Sequence, residues 1–442
     1  MTAVRVPDVL LRVSPLMIER YQSLAVLGAG RGRAAPHPYN FSRADASTCA
    51  TYIDRDGIVR LAAANKLRIE WVDLDGDGIR ETPGFAFEGS RQNLLLQSEA
   101  FNVTWSLSDA TISSNADTAP DGTATADRLV EGVGVGVEHV AFQQVTGTAD
   151  VKHSLSVFVK AGTRTWVVLG IRDVNGATNS VHAYFNLATG AIGTVGHLGA
   201  GSGEQAFIEK LGNGWYRCRL IGACNVGDTT PVLTVGAASA DNTRIYNGDG
   251  ASYISIWGAQ FENNTPIPSS YIKTAASAVT RAADAFTMPI NAGPSDVTIL
   301  ARFARPIWAD LAIDIGFFPG IFSMGNGVEP HLQAYRLQTA AQYQAAVSTP
   351  GADSFSPAAN IPAGASQILV AQFKNLTSAG QTAHDSGSGY GAFGSAAAAF
   401  SGFGAQTLRV GSRLAGSEFY GVLTDLIVAR GLFTLAEMAA IP

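Results

Sequence analysis

The stretch Asp73-Leu74-Asp75-Gly76-Asp77-Gly78-Ile79-Arg80-Glu81 has residue types and spacing that could hold a cation. Asp73, Asp75 and Asp77 place carboxylates on alternate residues, a glycine permits the sharp turn, and the Ile79 carbonyl and the Glu81 carboxylate come next. That order matches the start of a Ca2+ loop. The twelfth position of such a loop would be Gly84, where a bidentate Glu belongs, and the incoming segment has strand rather than helix character. A solvated acidic β-turn uses the same residues, so a weak Ca2+ site and a plain turn are both open readings.

A second set of residues could recognise sugars. Aromatic rings pack on the apolar face of a pyranose while nearby polar groups satisfy its hydroxyls. Trp308, His331, Tyr335, Tyr343 and Tyr390 fit that description, and core or subunit-interface packing is the competing role for each. Trp166, Trp215 and Trp257 read as core residues, and His153 and His182 as satisfied sheet side chains. Hydrolysis of a glycan would need paired carboxylates. Asp173, Glu204, Asp241 and Asp249 all fall in expected turns, where acidic residues occur anyway. The sequence contains no nucleophile elbow, His-Glu-x-x-His pair or Walker loop. Gly28-Ala29-Gly30 lacks the third glycine and the subsequent helix of a dinucleotide loop. The expectation is a protein that is not an enzyme.

Composition sets the elements that must position such residues. The 442-residue chain is 46% hydrophobic but only 15% charged, against about 25% charged in ordinary globular domains. With 48 glycines, this describes short strands joined by tight turns. A net charge of −6 and no basic stripe argue against nucleic acid as a partner. No run approaches the ~18 apolar residues of a spanning helix, so membrane insertion is not expected. Cys49, Cys218 and Cys224 have neither metal spacing nor the even count of a disulfide framework. With no secretory signal visible, the expectation is synthesis in a reducing cytoplasm.

The fold class expected is all-β. Residues 1–40 read as an arm ordered on a partner, and 41–89 as a small β module with a hairpin at Asp56-Gly57. Residues 90–275 read as a β-sandwich, 276–294 as a linker and 295–442 as a second sandwich. Period-2 alternation carries these assignments. Leu155, Val157 and Val159 alternate with Ser154, Ser156 and Lys160; Val181, Ala183 and Phe185 alternate with His182 and Tyr184. Tyr253 to Phe261 alternates with Trp257 and Phe261 on one face. Phe433 to Ile441 reads as a short helix capped by Thr434 and Glu437.

Several motifs resemble a segment of phage tail and fibre proteins. They are Phe41-Ser42-Arg43-Ala44, Arg91-Gln92-Asn93-Leu94-Leu95, Gly212-Asn213-Gly214-Trp215-Tyr216-Arg217, Trp257-Gly258-Ala259-Gln260-Phe261-Glu262, Ser270-Tyr271-Ile272 and Thr280-Arg281-Ala282-Ala283-Asp284. The resemblance implies a jelly roll similar to carbohydrate-binding modules. Leu408 to Ser412 and Phe419 to Ala429 resemble concanavalin A-like or laminin G-like sandwiches. Together these imply a structural fibre or spike of a tailed phage virion. Its arm would dock on other virion proteins, it would form a homo-oligomer, most simply a trimer, and it would attach to host surface polysaccharide. The alternatives are a glycan depolymerase and a decoration protein without a ligand.

Overall fold

A computed structural model describes residues 40–43, 49–74, 77–174, 178–224, 227, 229–265 and 268–291, together with isolated strands before residue 37 and after residue 296. Every strand pairing among them is antiparallel, and the one helical element among the described residues is a 3-10 turn at Gly212–Gly214. The chain is all-β, as its alternating sequence requires. It divides into two compact units. One, the sandwich unit, comprises 45–63 and 91–281; the other, the terminal unit, comprises 1–44, 64–90 and 282–442. Residues 41–89, expected together in one module, are thus shared between the units. The expected linker 276–294 contains the strands Val279–Arg281 and Ala285–Asn291.

Among the described residues the sandwich unit has two large sheets besides two-stranded pairs. One runs Ser106–Ser108, Val137–Gln144, Val232–Ala238, Trp166–Arg172, Ser180–Asn186, Ala191–Leu198, with Ile245–Tyr246 beside Val137–Gln144. The other runs Ala110–Asp117, Ala126–Glu131, Tyr253–Glu262, His153–Ala161, Trp215–Ala223, Ser202–Lys210. Side chains alternate between sheet faces, so every second residue enters the core. Val167, Leu169 and Ile171, then Val181, Ala183 and Phe185, then Leu233, Val235 and Ala237 face Leu155, Val157, Val159, Cys218, Leu220, Ile254 and Ile256 of the opposite sheet. Burying each such side chain contributes roughly 1.5–3 kcal/mol.

One alternation breaks. The sequence pattern places Trp257 and Phe261 on the same face, and the structure separates them. Gly258 adopts φ +62 and the register against His153–Ala161 shifts between Ser156 and Phe158. This β-bulge adds a residue and reverses the facing of the strand beyond it. Trp257 therefore joins Phe158, Trp215 and Tyr271 outside the sandwich, while Phe261 stays in the inter-sheet core.

That outer cluster is sealed by the hairpin Thr51–Ile53/Val59–Leu61, which inserts Ile53 and Val59. Its turn is built as the Asp-Gly signal predicts. Asp54 accepts N–H bonds from Asp56 and Ile58, and Gly57 takes φ +73. A strap around Ser269 to Thr274 covers the same side. Thr51 donates to the Tyr271 carbonyl at 2.7 Å, and Gln260 accepts the Ile272 N–H at 2.6 Å. Asn93, fully buried, donates to the carbonyls of Ala259 and Ile272 and accepts the N–H groups of Leu95 and Phe261.

Among the described residues the terminal unit also holds two large sheets, besides the pair Ala25–Leu27 and Ala34–Pro36. In one, Gly421–Arg430 pairs with Val297–Ala304 along one edge; along the other, Phe85 to Phe87 covers its first residues and Asp8–Val13 its last. Part of the expected arm is thus a strand in the chain's own sheet. In the other sheet Ala285–Asn291 lies between Ala405–Val410 and Asn40–Ser42. A buried ion cluster ties the returning segments together: Arg43 to Asp284 at 3.2 Å, Arg68 to Glu88 at 2.6 Å, and Arg68 to Asp284. The helix expected at Phe433 to Ile441 lies outside the described residues.

Candidate functional site

With one outer face of the sandwich unit sealed by hairpin and strap, the outer face of the other sheet is where larger polar and aromatic groups gather. Register fixes its rows. Trp166 stands beside Ala238 and Asn186; Val168 beside Gly236 and Tyr184; Gly170 beside Thr234 and His182; Arg172 beside Val232 and Ser180. These are the positions opposite the inward Val167, Leu169 and Ile171. Val168, Tyr184 and Ala238 form an apolar floor with half-buried Trp166 packed against it. The Trp166 ring and the Asp241 carboxylate both lie against Gly193, so that any side chain there would collide with them. Asp241 is held in turn by the Thr194 N–H at 2.7 Å and the Thr194 hydroxyl at 3.0 Å.

Charged groups stand over this floor. Arg172 makes a bidentate contact with Glu138, at 2.8 and 3.2 Å, and Arg244 Nε approaches the same carboxylate at 2.9 Å. Two guanidiniums thus share one carboxylate. Arg244 comes from the turn after Val232–Ala238, a turn closed by the Ala240–Thr243 bridge. Its two Nη groups take no partner among the described residues. Beneath, the Ser180 hydroxyl and His182 Nδ1 are buried without a partner among the described residues. Burial, followed by the charges of Arg244 and Arg172, lowers the His182 pKa and keeps the ring neutral at neutral pH. Burial is the first cause of the raised Tyr184 pKa as well.

Such a face can do recognition chemistry. A ring-bearing ligand finds the half-buried Trp166 indole, Tyr184 being buried beneath the face, and a polar ligand finds a guanidinium fork and buried groups lacking partners. Of the acids that hydrolysis would have to recruit, Glu204 lies on the strand Ser202–Lys210 rather than in the expected turn, and Asp173 keeps Oδ1 buried without a partner among the described residues. Asp173 accepts from Asn179 at 2.8 Å, Glu204 pairs with His197 at 2.8 Å, and Asp249 accepts from Ala251 and Ser252.

Two residues depart from expectation. Trp215 and Trp257 are core, but Trp166 is half-buried on the outer face. His153 is satisfied, since its Nδ1 accepts the Asn264 N–H, whereas His182 Nδ1 has no partner among the described residues. The signal was present in the strands: Trp166, Tyr184 and His182 occupy the positions that alternate with the apolar set, where an exposed sheet would carry small polar residues.

The acidic segment behaves as a turn between Arg68–Val72 and Thr82–Phe87. Asp73 accepts the Gly78 N–H at 2.7 Å and Asp77 accepts the Ile79 N–H at 2.6 Å, while Ile79 is 66% exposed. Gly84, at the position that would need the bidentate Glu, sits in a strand where any Cβ would collide with Val422. The residues present therefore do not complete a Ca2+ loop. Asp75 lies outside the described residues; Glu81 is exposed. No group of three or more His, Cys, Asp or Glu is placed to hold a metal among the described residues.

Trp308 and Tyr390 also lie outside the described residues. His331 and Tyr335 are on Pro330–Arg336 and Tyr343 on Gln342–Thr349, but the register pairs Tyr335 with Gln344 and Tyr343 with Arg336, so the tyrosines are not cross-strand partners.

No known protein family and no curated protein matches the chain by sequence. Among solved structures, mouse laminin alpha1 chain, domains LG4-5, is similar at 10% identity over 79% of this chain and 92% of that one, with a TM-score of 0.23. At that depth the likeness adds nothing to the fold already described.

Proposed function

We propose that the chain is a non-catalytic appendage of a tailed phage virion, and that its sandwich unit holds host surface glycan on the outer face bearing Trp166 and Arg244. The observation that carries the glycan reading is that face itself: aromatic residues on outward strand positions, overlain by an ion-paired cluster with an unclaimed guanidinium edge. The virion reading rests on the motifs between Phe41 and Asp284. Several of them do structural work, since Asn93, Gln260, Tyr271 and Asp284 hold straps and ion pairs. A scaffold of that kind leaves the outer strand positions free to vary with the ligand. Docking through residues 1–40 and a trimeric assembly belong to the same proposal.

The test is binding of the purified full chain to an array of bacterial surface polysaccharides, with a reducing-end assay run alongside. Specific binding without release of reducing ends is expected. Trp166→Ala should weaken binding at least tenfold, about 1.4 kcal/mol, with the fold retained and the thermal midpoint lowered by the packing lost on Val168, Tyr184 and Ala238. Release of reducing ends would establish a depolymerase instead, and an array without signal would leave a decoration protein.

A further inference from the structure

We infer that the ligand of this face carries an anionic group, a sugar carboxylate or phosphate, seated on the free edge of Arg244; this deepens the glycan reading above and rests on it. Three observations lead there. First, the charged groups on this face divide into committed and uncommitted ones. Asp241 is taken by Thr194 and Glu204 by His197, and Asp173 Oδ2 by Thr178 and Asn179, while Asp173 Oδ1 is buried without a partner among the described residues. Arg172 spends both terminal nitrogens on Glu138. Arg244 meets Glu138 through Nε, leaving Nη1 and Nη2, two donors spaced to match two oxygens of one anion.

Second, Glu138 is outnumbered. One carboxylate serves two guanidiniums whose side chains are 12% and 20% exposed, and its own is 20% exposed. In so partly desolvated a setting a second anion gains more than it would in open solvent. Third, Ser180, 3% exposed, and His182, 9% exposed, have polar atoms without partners among the described residues, in the rows at and beside Arg172. Buried polar groups are satisfied by protein, water or ligand. With the acid on Arg244 and one ring on Trp166, a further unit of the polymer would bring hydroxyls to the rows of His182 and Ser180, which lie four and six residues along the strand from the row of Trp166.

The experiment compares native acidic capsular polysaccharides with the same polymers after carboxyl reduction, with galacturonate and galactose as small probes, using the full chain. The expected result is binding to the native polymers, at least tenfold loss after carboxyl reduction, and weakening as salt rises. Arg244→Gln should abolish the acid preference, with Arg244→Lys restoring part of it. Glu138→Gln supplies the sharper arm. If Glu138 merely braces the sheet, its loss weakens all binding; if it competes with the ligand anion, acidic probes bind several-fold tighter and galactose is unchanged. Equal affinity for native and reduced polymers overturns the anion inference and leaves the glycan reading intact. Binding to neither overturns both.

Discussion

Among single residues, His182 has the most direct consequence in solution. Its pKa is lowered in the folded chain, first by burial and then by the Arg244 and Arg172 charges. In the unfolded chain the imidazole titrates near ~6.5. Above that pH neither state binds the proton, and the group contributes nothing to pH dependence. As the pH falls below it, the unfolded chain takes up the proton first, so stability declines until the folded-state pKa is reached. Denaturant melts between pH 7 and pH 5 should show this loss, and His182→Gln should remove part of the slope. An unchanged slope would mean that the ring titrates alike in the folded and unfolded chains. Inward residues such as Val167 or Phe185 were legible in the sequence because alternation fixes which way a side chain points. The missing partner of His182 was not, because it depends on Gly196, Arg172 and Arg244, which only sheet register brings together.

At the level of elements, alternation read the strands well and failed where the backbone left the ladder. The Asp56-Gly57 hairpin appears as expected, since the turn chemistry is entirely local. Gly258 shows the opposite case. Its bulge forms where two strands of different register meet, and within Tyr253 to Phe261 the glycine itself is the local sign of it, which alternation alone passes over. A side chain at this position would have to adopt φ +62 and come within 2.8 Å of the Phe158 ring. Gly258→Ala should therefore cost about 1–3 kcal/mol, read as a lowered denaturation midpoint with the fold retained. The same variant in a chain already lacking the Phe158 ring should cost less, because the backbone term alone remains. The acidic turn before Thr82 illustrates a further limit. Its spacing matched the start of a Ca2+ loop with Gly84 already at the twelfth position, and the structure adds that the strand carrying Gly84 is pressed on Val422.

For the whole molecule, the two units are each assembled from separated stretches of sequence. The sandwich unit needs residues 45–63 to cap Phe158, Trp215, Trp257 and Tyr271. A fragment spanning only 91–281 would expose that cluster and lose the burial of Ile53 and Val59, about 3–6 kcal/mol at roughly 1.5–3 per side chain. It should melt well below a fragment spanning 45–281, in calorimetry or by loss of near-ultraviolet circular dichroism; equal midpoints would show the hairpin to be dispensable. Domain boundaries drawn along the sequence missed this arrangement because composition reports where a chain turns, not which core receives it. Interleaving of this kind also governs how such a protein can be recombined. A gene segment running from residue 91 to 281 would deliver a sandwich without its cap, and one running from 45 to 281 would also carry off 64–90, including the strands Arg68–Val72 and Thr82–Phe87 and two residues of the buried ion cluster. Exchange between relatives would leave the described strands of both units together only when the breakpoints fall before residue 8 and after residue 430, so new ligand preferences should arise by substitution on the outward strand positions more readily than by swapping the sandwich.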